Sequence, residues 1–327
     1  MKFIDYKKTD IDPYKLRKKK FFKGIFEDRK KNLKNLNSLI SNKTKNCPIC
    51  NSKRLEFKFL QITKKYNLNK CLNCDLIFPN TNFLNNKNYV TKVYSNYSDQ
   101  NHRKILYSTQ KYRTSTFMQE RYEYCVKRIF KNKKKIKVLE YGCGIGMFLK
   151  ELSRHGINCK GLEVDPYQIK VAQNSDLDVS NVSLNSLDNN SYNLCVMFDV
   201  LEHLVDPINE FKILNKKIKK GGYVVCYSPN IYSLAFELMN KNQNQVYPFE
   251  HLYFFGKKTL EKFTKKVGFK IVKFETYGLD LIDYFLYKEF SDKKRYIKYF
   301  KNFINILQPV IDQSNLGNHF RVTFKKI

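Results

Sequence analysis

The chain has 327 residues, long enough to bury a full α/β core and carry one or two appendages. Its 61 Lys and Arg stand against 30 Asp and Glu, a net charge of +31, and 15% of the residues are aromatic although none is Trp. No run of about 18 apolar residues exists, which excludes a transmembrane helix, and nine cysteines, four of them in two Cys-x-x-Cys pairs, argue for a metal in a reducing compartment rather than disulfides. The charge suits a polyanionic partner such as nucleic acid, anionic lipid or a phosphorylated substrate. The lysines are nevertheless spread through every segment beside abundant Asn, Ile, Tyr and Phe, as in a chain from an AT-rich genome.

Residues 1–45 are basic and lack a signal-peptide apolar core. Leu16 to Ile40 reads as a helix with Phe21, Phe22, Ile25, Leu33, Leu36 and Ile40 among lysines. It could lie on a membrane surface, act as a nucleic-acid arm, or pack its apolar side on the domain behind it. Residues 46–80 hold Cys47-Pro-Ile-Cys50 and Cys71-Leu-Asn-Cys74, two knuckles about 20 residues apart. Four thiolates at that spacing suit one tetrahedral Zn²⁺ with no open position, a structural zinc ribbon. Leu55 to Ile62 and Asp75 to Pro79 are its strand material. Residues 81–115 form a Tyr-rich linker, from which Tyr94 and Tyr97 are candidates for cofactor or substrate contact. Thr116 to Phe130 reads as a helix leading into the core, which occupies residues 116–327.

The core opens with Ile136 to Leu139, an apolar run that fits a buried parallel strand. Gly142, Gly144 and Gly146 follow, then a helix from Met147 to His155 and a second strand, Cys159 to Leu162, with Glu163 at its tip. The dinucleotide fingerprint Gly-x-Gly-x-x-Gly does not fit this spacing. An acid at the strand tip, Glu140, suits a cofactor with an ammonium group better than one with a pyrophosphate. S-adenosylmethionine (SAM) has that ammonium, and a ribose diol that Glu163 could hold.

Glu140-Tyr-Gly-Cys-Gly-Ile-Gly146 resembles the first motif of class I SAM-dependent methyltransferases. The resemblance continues through Phe198-Asp-Val-Leu-Glu-His-Leu-Val-Asp-Pro207, Lys220-Gly-Gly-Tyr-Val-Val-Cys-Tyr-Ser-Pro-Asn230 and His251-Leu-Tyr-Phe-Phe-Gly-Lys-Lys-Thr-Leu260. It covers roughly residues 115–278 and is similar to the methyltransferase 23/11-like subgroup that often modifies sugars, quinones and other small metabolites. It implies a Rossmann-like, seven-stranded, mostly parallel sheet with an antiparallel last strand, preceded by the small four-cysteine zinc ribbon. Cys71-Leu-Asn-Cys-Asp-Leu-Ile-Phe-Pro79 also resembles the ribbon of some sugar methyltransferases. Those sugar C-methyltransferases carry a further large C-terminal domain, for which this chain has no room, so oxygen is expected as the acceptor atom.

The remaining strands read as Asp178 to Leu184, Tyr192 to Phe198, Tyr223 to Tyr227, Lys270 to Thr276 and the alternating tail from His319. Asp165-Pro166 reads as a helix start reaching about Asn174, and further helices as Glu210 to Lys219 and Thr259 to Val267. Ser183 and Leu184 would lie near the adenine. Residues 279–315 form a helical insertion that walls the acceptor pocket or makes a homodimer interface. The expected cofactor contacts are Glu140, Gly142, Gly144, Gly146, Glu163, Asp199 and Tyr97. His203 is the expected general base, since an imidazole can take an acceptor proton near neutral pH. Glu202 would orient it or bind substrate, and His251 is the second candidate base. The expected function is O-methylation of a small anionic metabolite: a sugar, nucleotide-sugar or phosphorylated intermediate of surface-polysaccharide biosynthesis, in the cytoplasm or peripherally on a membrane. The alternatives are an RNA or protein methyltransferase using ribbon and basic surface, and a non-enzymatic zinc-ribbon nucleic-acid binder.

Overall fold

A computed structural model of the chain describes residues 11–40, 43–83, 89–94, 100–132 and 135–327. Its main sheet has seven strands: β4 (Lys137–Tyr141), β5 (Asn158–Leu162), β6 (Val179–Ser180), β7 (Tyr192–Phe198), β8 (Ile218–Pro229), β9 (Phe269–Thr276) and β10 (His319–Lys326). Their order is β6-β5-β4-β7-β8-β10-β9. The pairs from β6 to β8 are parallel, and β10 runs antiparallel to both β8 and β9. This is the Rossmann-like arrangement expected. The strand order reverses between β4 and β7, so a crevice opens beyond their carboxyl ends.

Strands β4 and β7 are central because their side chains are apolar on both faces. Val138, Leu139, Leu194, Cys195, Val196 and Met197 are fully buried. On one face Phe211 meets Phe263 edge-on at 4.8 Å and Phe324 at 5.9 Å, and each such buried ring contributes about 1.5–3 kcal/mol. On the other, the helical stretch 110–127 and the helix Met147–Arg154 cover Val138, Val196 and Val225. Asp165 and Asp206 cap the helices Pro166–Gln173 and Pro207–Lys217, each carboxylate accepting a backbone N–H of the first turn.

Two expectations are corrected. The strand expected over 178–184 is only Val179–Ser180, followed by a tight turn at Leu184–Ser186. β6 is an edge strand, Val182 is exposed, and the Ser183 hydroxyl accepts from Asn185 N at 3.2 Å, so a local turn replaces the sheet pairing. The helix expected over Leu16–Ile40 is broken into Pro13–Arg17, Phe21–Asn35 and a turn at Asn37–Leu39. Lys18 takes φ +44°, where a right-handed helix cannot continue. Phe21, Phe22 and Ile25 bury themselves with Leu281, Ile282 and Leu286 of the helix Asp280–Asp292.

A second, antiparallel sheet joins β1 (Leu55–Gln61), β2 (Asn67–Cys71) and β3 (Ile77–Pro79) in that order. It shares a continuous core with the main sheet: Ile49, Leu68 and Ile77 pack with Phe254, Leu260 and Phe263. Ile77 and Phe254 exchange backbone hydrogen bonds of 3.2 and 2.9 Å, and Thr259 Oγ1 donates to Cys74 O at 2.6 Å.

Candidate functional site

The turn after β4 is built from glycine because nothing else fits. Gly142, Gly144 and Gly146 have φ of +72°, +57° and +77°, and a Cβ on Gly142 would stand 2.4 Å from Val200 Cγ2. Glu140, just before the turn, is 4% exposed, and its Oε2 has no hydrogen-bond partner among the described residues. Burial pushes this carboxyl up to about 8 against the opposing pull of Arg121. Glu163 ends β5 and accepts Gly144 N at 2.8 Å on one oxygen, and Val164 N and Asp165 N at 2.8 and 3.0 Å on the other. It therefore also braces the glycine turn. A buried carboxyl with one oxygen unpartnered among the described residues, beside a turn with room for a ligand, suits a cationic group, as the ammonium of SAM would be.

Asp199 follows β7 with φ +57°, and its Oδ1 lies 3.1 Å from His319 Nε2. Glu202 and His203 sit on the tight turn Leu201–His203. Glu202 is fully buried; its Oε2 accepts the Ser228 hydroxyl at 2.8 Å and its backbone carbonyl accepts Leu252 N at 2.8 Å. That last bond draws the segment after β8 inward and brings His251 against His203, ring centroids 4.7 Å apart and perpendicular. His203 Nδ1 is 2.8 Å from the Tyr94 hydroxyl, and His251 Nδ1 donates to Gln245 O at 2.7 Å. Burial, then the neighbouring His203, holds the His251 imidazole well below its usual range.

These groups surround one cavity of about 900 Å³, lined by Glu140, the glycine turn, Glu163, Asp199, His203 and His251, near the upper end for small-ligand pockets. Asn181 to Leu184 line it as well. Glu202 does not reach the cavity; it lies behind the two histidines. Tyr97 falls outside the described residues.

Three lining residues escaped the reading of the sequence as contributors to the site. Arg121 lies 4.1 Å over the Phe198 ring, and no carboxylate pairs with it among the described residues. The preceding Glu120 is pinned by the buried Arg321 of β10, and wider turns at Thr114–Met118 and Glu123–Lys127 flank the residue. Such π turns are frequent at functional sites. Arg113 gives its guanidinium to Thr109 Oγ1 and Leu16 O, at 3.0 and 3.2 Å. Burial, then Arg17 and Arg121, pushes it down to about 9. His319 reaches Asp199 because β10 inserts beside β8. No local motif announces any of the three.

In the second sheet, the sulfurs of Cys47 and Cys74 are 3.6 Å apart and those of Cys50 and Cys71 3.5 Å, with all four within 4.8 Å of one another. Disulfide sulfurs would be about 2.05 Å apart, whereas four thiolates about 2.3 Å from one metal are about 3.8 Å apart. The cluster is capable of holding a metal ion.

The family model described as a methyltransferase domain (Methyltransf_23) matches residues 114–273. A ubiquinone biosynthesis O-methyltransferase of Aliivibrio fischeri is 26% identical over 118 residues, 33% of this chain and 50% of that one. One of Cronobacter sakazakii is 30% identical over 98 residues, 27% of this chain and 40% of that one. The chain thus spans half or less of the length of these curated relatives. Among solved structures, a SAM-dependent methyltransferase from Archaeoglobus fulgidus aligns with a TM-score of 0.46 and 21% identity, covering 67% of this chain and 99% of its own. With the matched segment holding β4 to β8, the glycine turn and the Asp199–His203 stretch, residues 114–273 are a class I SAM-dependent methyltransferase domain.

Proposed function

We propose that the protein is a SAM-dependent methyltransferase that O-methylates a small anionic metabolite, such as a sugar, nucleotide-sugar or phosphorylated intermediate of surface-polysaccharide biosynthesis. The observation that carries the reading is Glu140: a buried carboxylate oxygen with no described partner, at the glycine turn, in a cavity that also holds two histidines. Glu140 takes the cofactor's ammonium and Arg121 its carboxylate. Gly142, Gly144 and Gly146 leave room for the backbone to approach it, and Glu163 holds the ribose diol. Asp199, fixed by His319, borders the reacting end. The sulfonium supplies the methyl group and an excellent leaving group, so alignment of donor and acceptor is the main task. The S–CH₃ bond breaks as the O–CH₃ bond forms, and the acceptor's proton leaves at the cluster of Glu202, His203 and His251.

Oxygen as acceptor is supported by the relatives named ubiquinone biosynthesis O-methyltransferases. An anionic acceptor is supported by Arg113, half-buried at the cavity wall beside two further arginines. The four clustered cysteines hold a structural Zn²⁺, and the absence of disulfides among the nine cysteines fits a cytoplasmic setting. Calorimetric titration with S-adenosylhomocysteine tests the cofactor site: micromolar binding, little changed by salt, is expected, and its absence would reject the reading. Transfer of labelled methyl from SAM to a panel of nucleotide-sugars and phosphorylated sugars then tests the acceptor class. For the ribbon, Cys47→Ser should lose zinc by elemental analysis and lower the melting temperature.

A further inference from the structure

Glu202, His203 and His251 form a cluster whose ligating atoms converge at the inner wall of the cavity. Glu202 is fully buried, and its Oε1 accepts no hydrogen bond among the described residues. His203 Nε2 lies 3.9 Å from that oxygen, too far for a hydrogen bond. His251 stacks edge-on against His203, and one ligating atom from each of the three residues lies within 4.8 Å of the others. The surrounding bonds fix which atoms face inward. A carbonyl can only accept, so His251 Nδ1 carries its proton toward Gln245 O and Nε2 keeps its lone pair. Tyr94 holds His203 at Nδ1. Ser228 occupies Glu202 Oε2 and leaves Oε1. This outer ring of one hydroxyl, one phenol and one carbonyl is the support that metal-binding imidazoles and carboxylates require.

We propose that Glu202, His203 and His251 bind one divalent transition-metal ion at the wall of the acceptor pocket. Two imidazoles and one carboxylate suit Zn²⁺, Mn²⁺ or Fe²⁺ better than Mg²⁺ or Ca²⁺, which prefer all-oxygen sets. Ligand atoms about 2.0–2.2 Å from one ion stand roughly 3–3.5 Å apart, so separations of 3.9 Å and up to 4.8 Å call for the three side chains to draw together on the ion. The ion supplies a direct countercharge to the buried carboxylate. Both histidines line the cavity, so a coordination position faces the acceptor. There the ion lowers the pKa of the acceptor hydroxyl. The proton passes to solvent, and the oxygen takes the methyl group from sulfur. His203 is then a ligand rather than the general base, because its lone pair is engaged.

The geometry stands by itself; the purpose rests on the methyltransferase reading. Mn²⁺ separates this site from the ribbon, because thiolates select softer ions. Zinc-replete, full-length protein is titrated with Mn²⁺ and free ion is followed by electron paramagnetic resonance. One Mn²⁺ per chain is expected, with binding weakened about tenfold or more in both Glu202→Gln and His251→Ala, while ribbon zinc and S-adenosylhomocysteine affinity stay as in wild type. Protein purified with two metal equivalents that fall to one in both variants supports the site equally. No saturable Mn²⁺ binding in protein holding a single metal equivalent overturns it, as does binding unchanged in both variants that still bind S-adenosylhomocysteine. Wild type that binds Mn²⁺ but not S-adenosylhomocysteine keeps the metal site and rejects the methyltransferase reading instead.

Discussion

Glu140 and Glu202 are two buried carboxylates near the tips of neighbouring strands, and their surroundings divide the labour of the cavity. Glu140 faces glycines and one guanidinium, and it can meet an organic cation that enters and leaves. Glu202 faces two imidazoles and a serine, behind the cavity wall, and nothing organic can reach it. In both, burial raises the carboxyl well above its usual range. Glu140 keeps one oxygen without a described partner, as the proposed cofactor contact requires, whereas Glu202 is enclosed by side chains of the fold.

The sharpest way to break this comparison is His203→Ala. Whether it acts as ligand or base, its loss should lower kcat by about 10²-fold or more with S-adenosylhomocysteine affinity unchanged by calorimetry; a matching loss of affinity would merge the two sides into one. Glu140→Gln should do the reverse, weakening the cofactor by about 10–100-fold through loss of a charged hydrogen bond, with KM for the acceptor unchanged. The pH dependence follows from the same group. Glu140 must ionise to meet an ammonium, and its carboxyl titrates near 8 in the ligand-free protein. Affinity should therefore rise by up to about tenfold per unit below pH 8 and level off above it, and Glu140→Gln should flatten the profile. Because the folded value exceeds the unfolded value of 4.5, Glu140 also makes ligand-free stability fall as pH rises from 4.5 to about 8; a urea midpoint series in wild type and Glu140→Gln measures that difference. The smallest expected effect is Tyr94→Phe, which removes one hydrogen bond to His203 and should cost about 0.5–1.5 kcal/mol, read as a 2–12-fold loss in kcat.

Much of this was legible in the sequence where burial is two-sided. Tyr192–Phe198 reads as a strand because it is a short, nearly continuous apolar run, and it is one. The glycine spacing and the flanking Glu140 and Glu163 carry the resemblance to a methyltransferase fold without any tertiary information. What was hidden depends on chain segments that meet only after folding. His319 lies 120 positions from Asp199, and Arg121 sits on a helix whose wider turns leave no compositional trace. The extent of β6 was overread because periodicity does not show that an edge strand lacks a partner. The partnership of Glu202 with His251 was likewise invisible, since it needs the backbone of Leu252 to dock on Glu202.

The placement of β10 has a consequence for synthesis. It lies between two strands that are both made before it, and it pairs with each along its length. Until residues 319–326 have left the ribosome, β8 ends in an unpaired edge and β9 has no neighbour in the sheet, an arrangement open to pairing with other chains. The same residues bring His319 to Asp199 and Arg321 to Glu120. Closing the sheet and completing the rim of the cavity at Asp199 are thus a single late event.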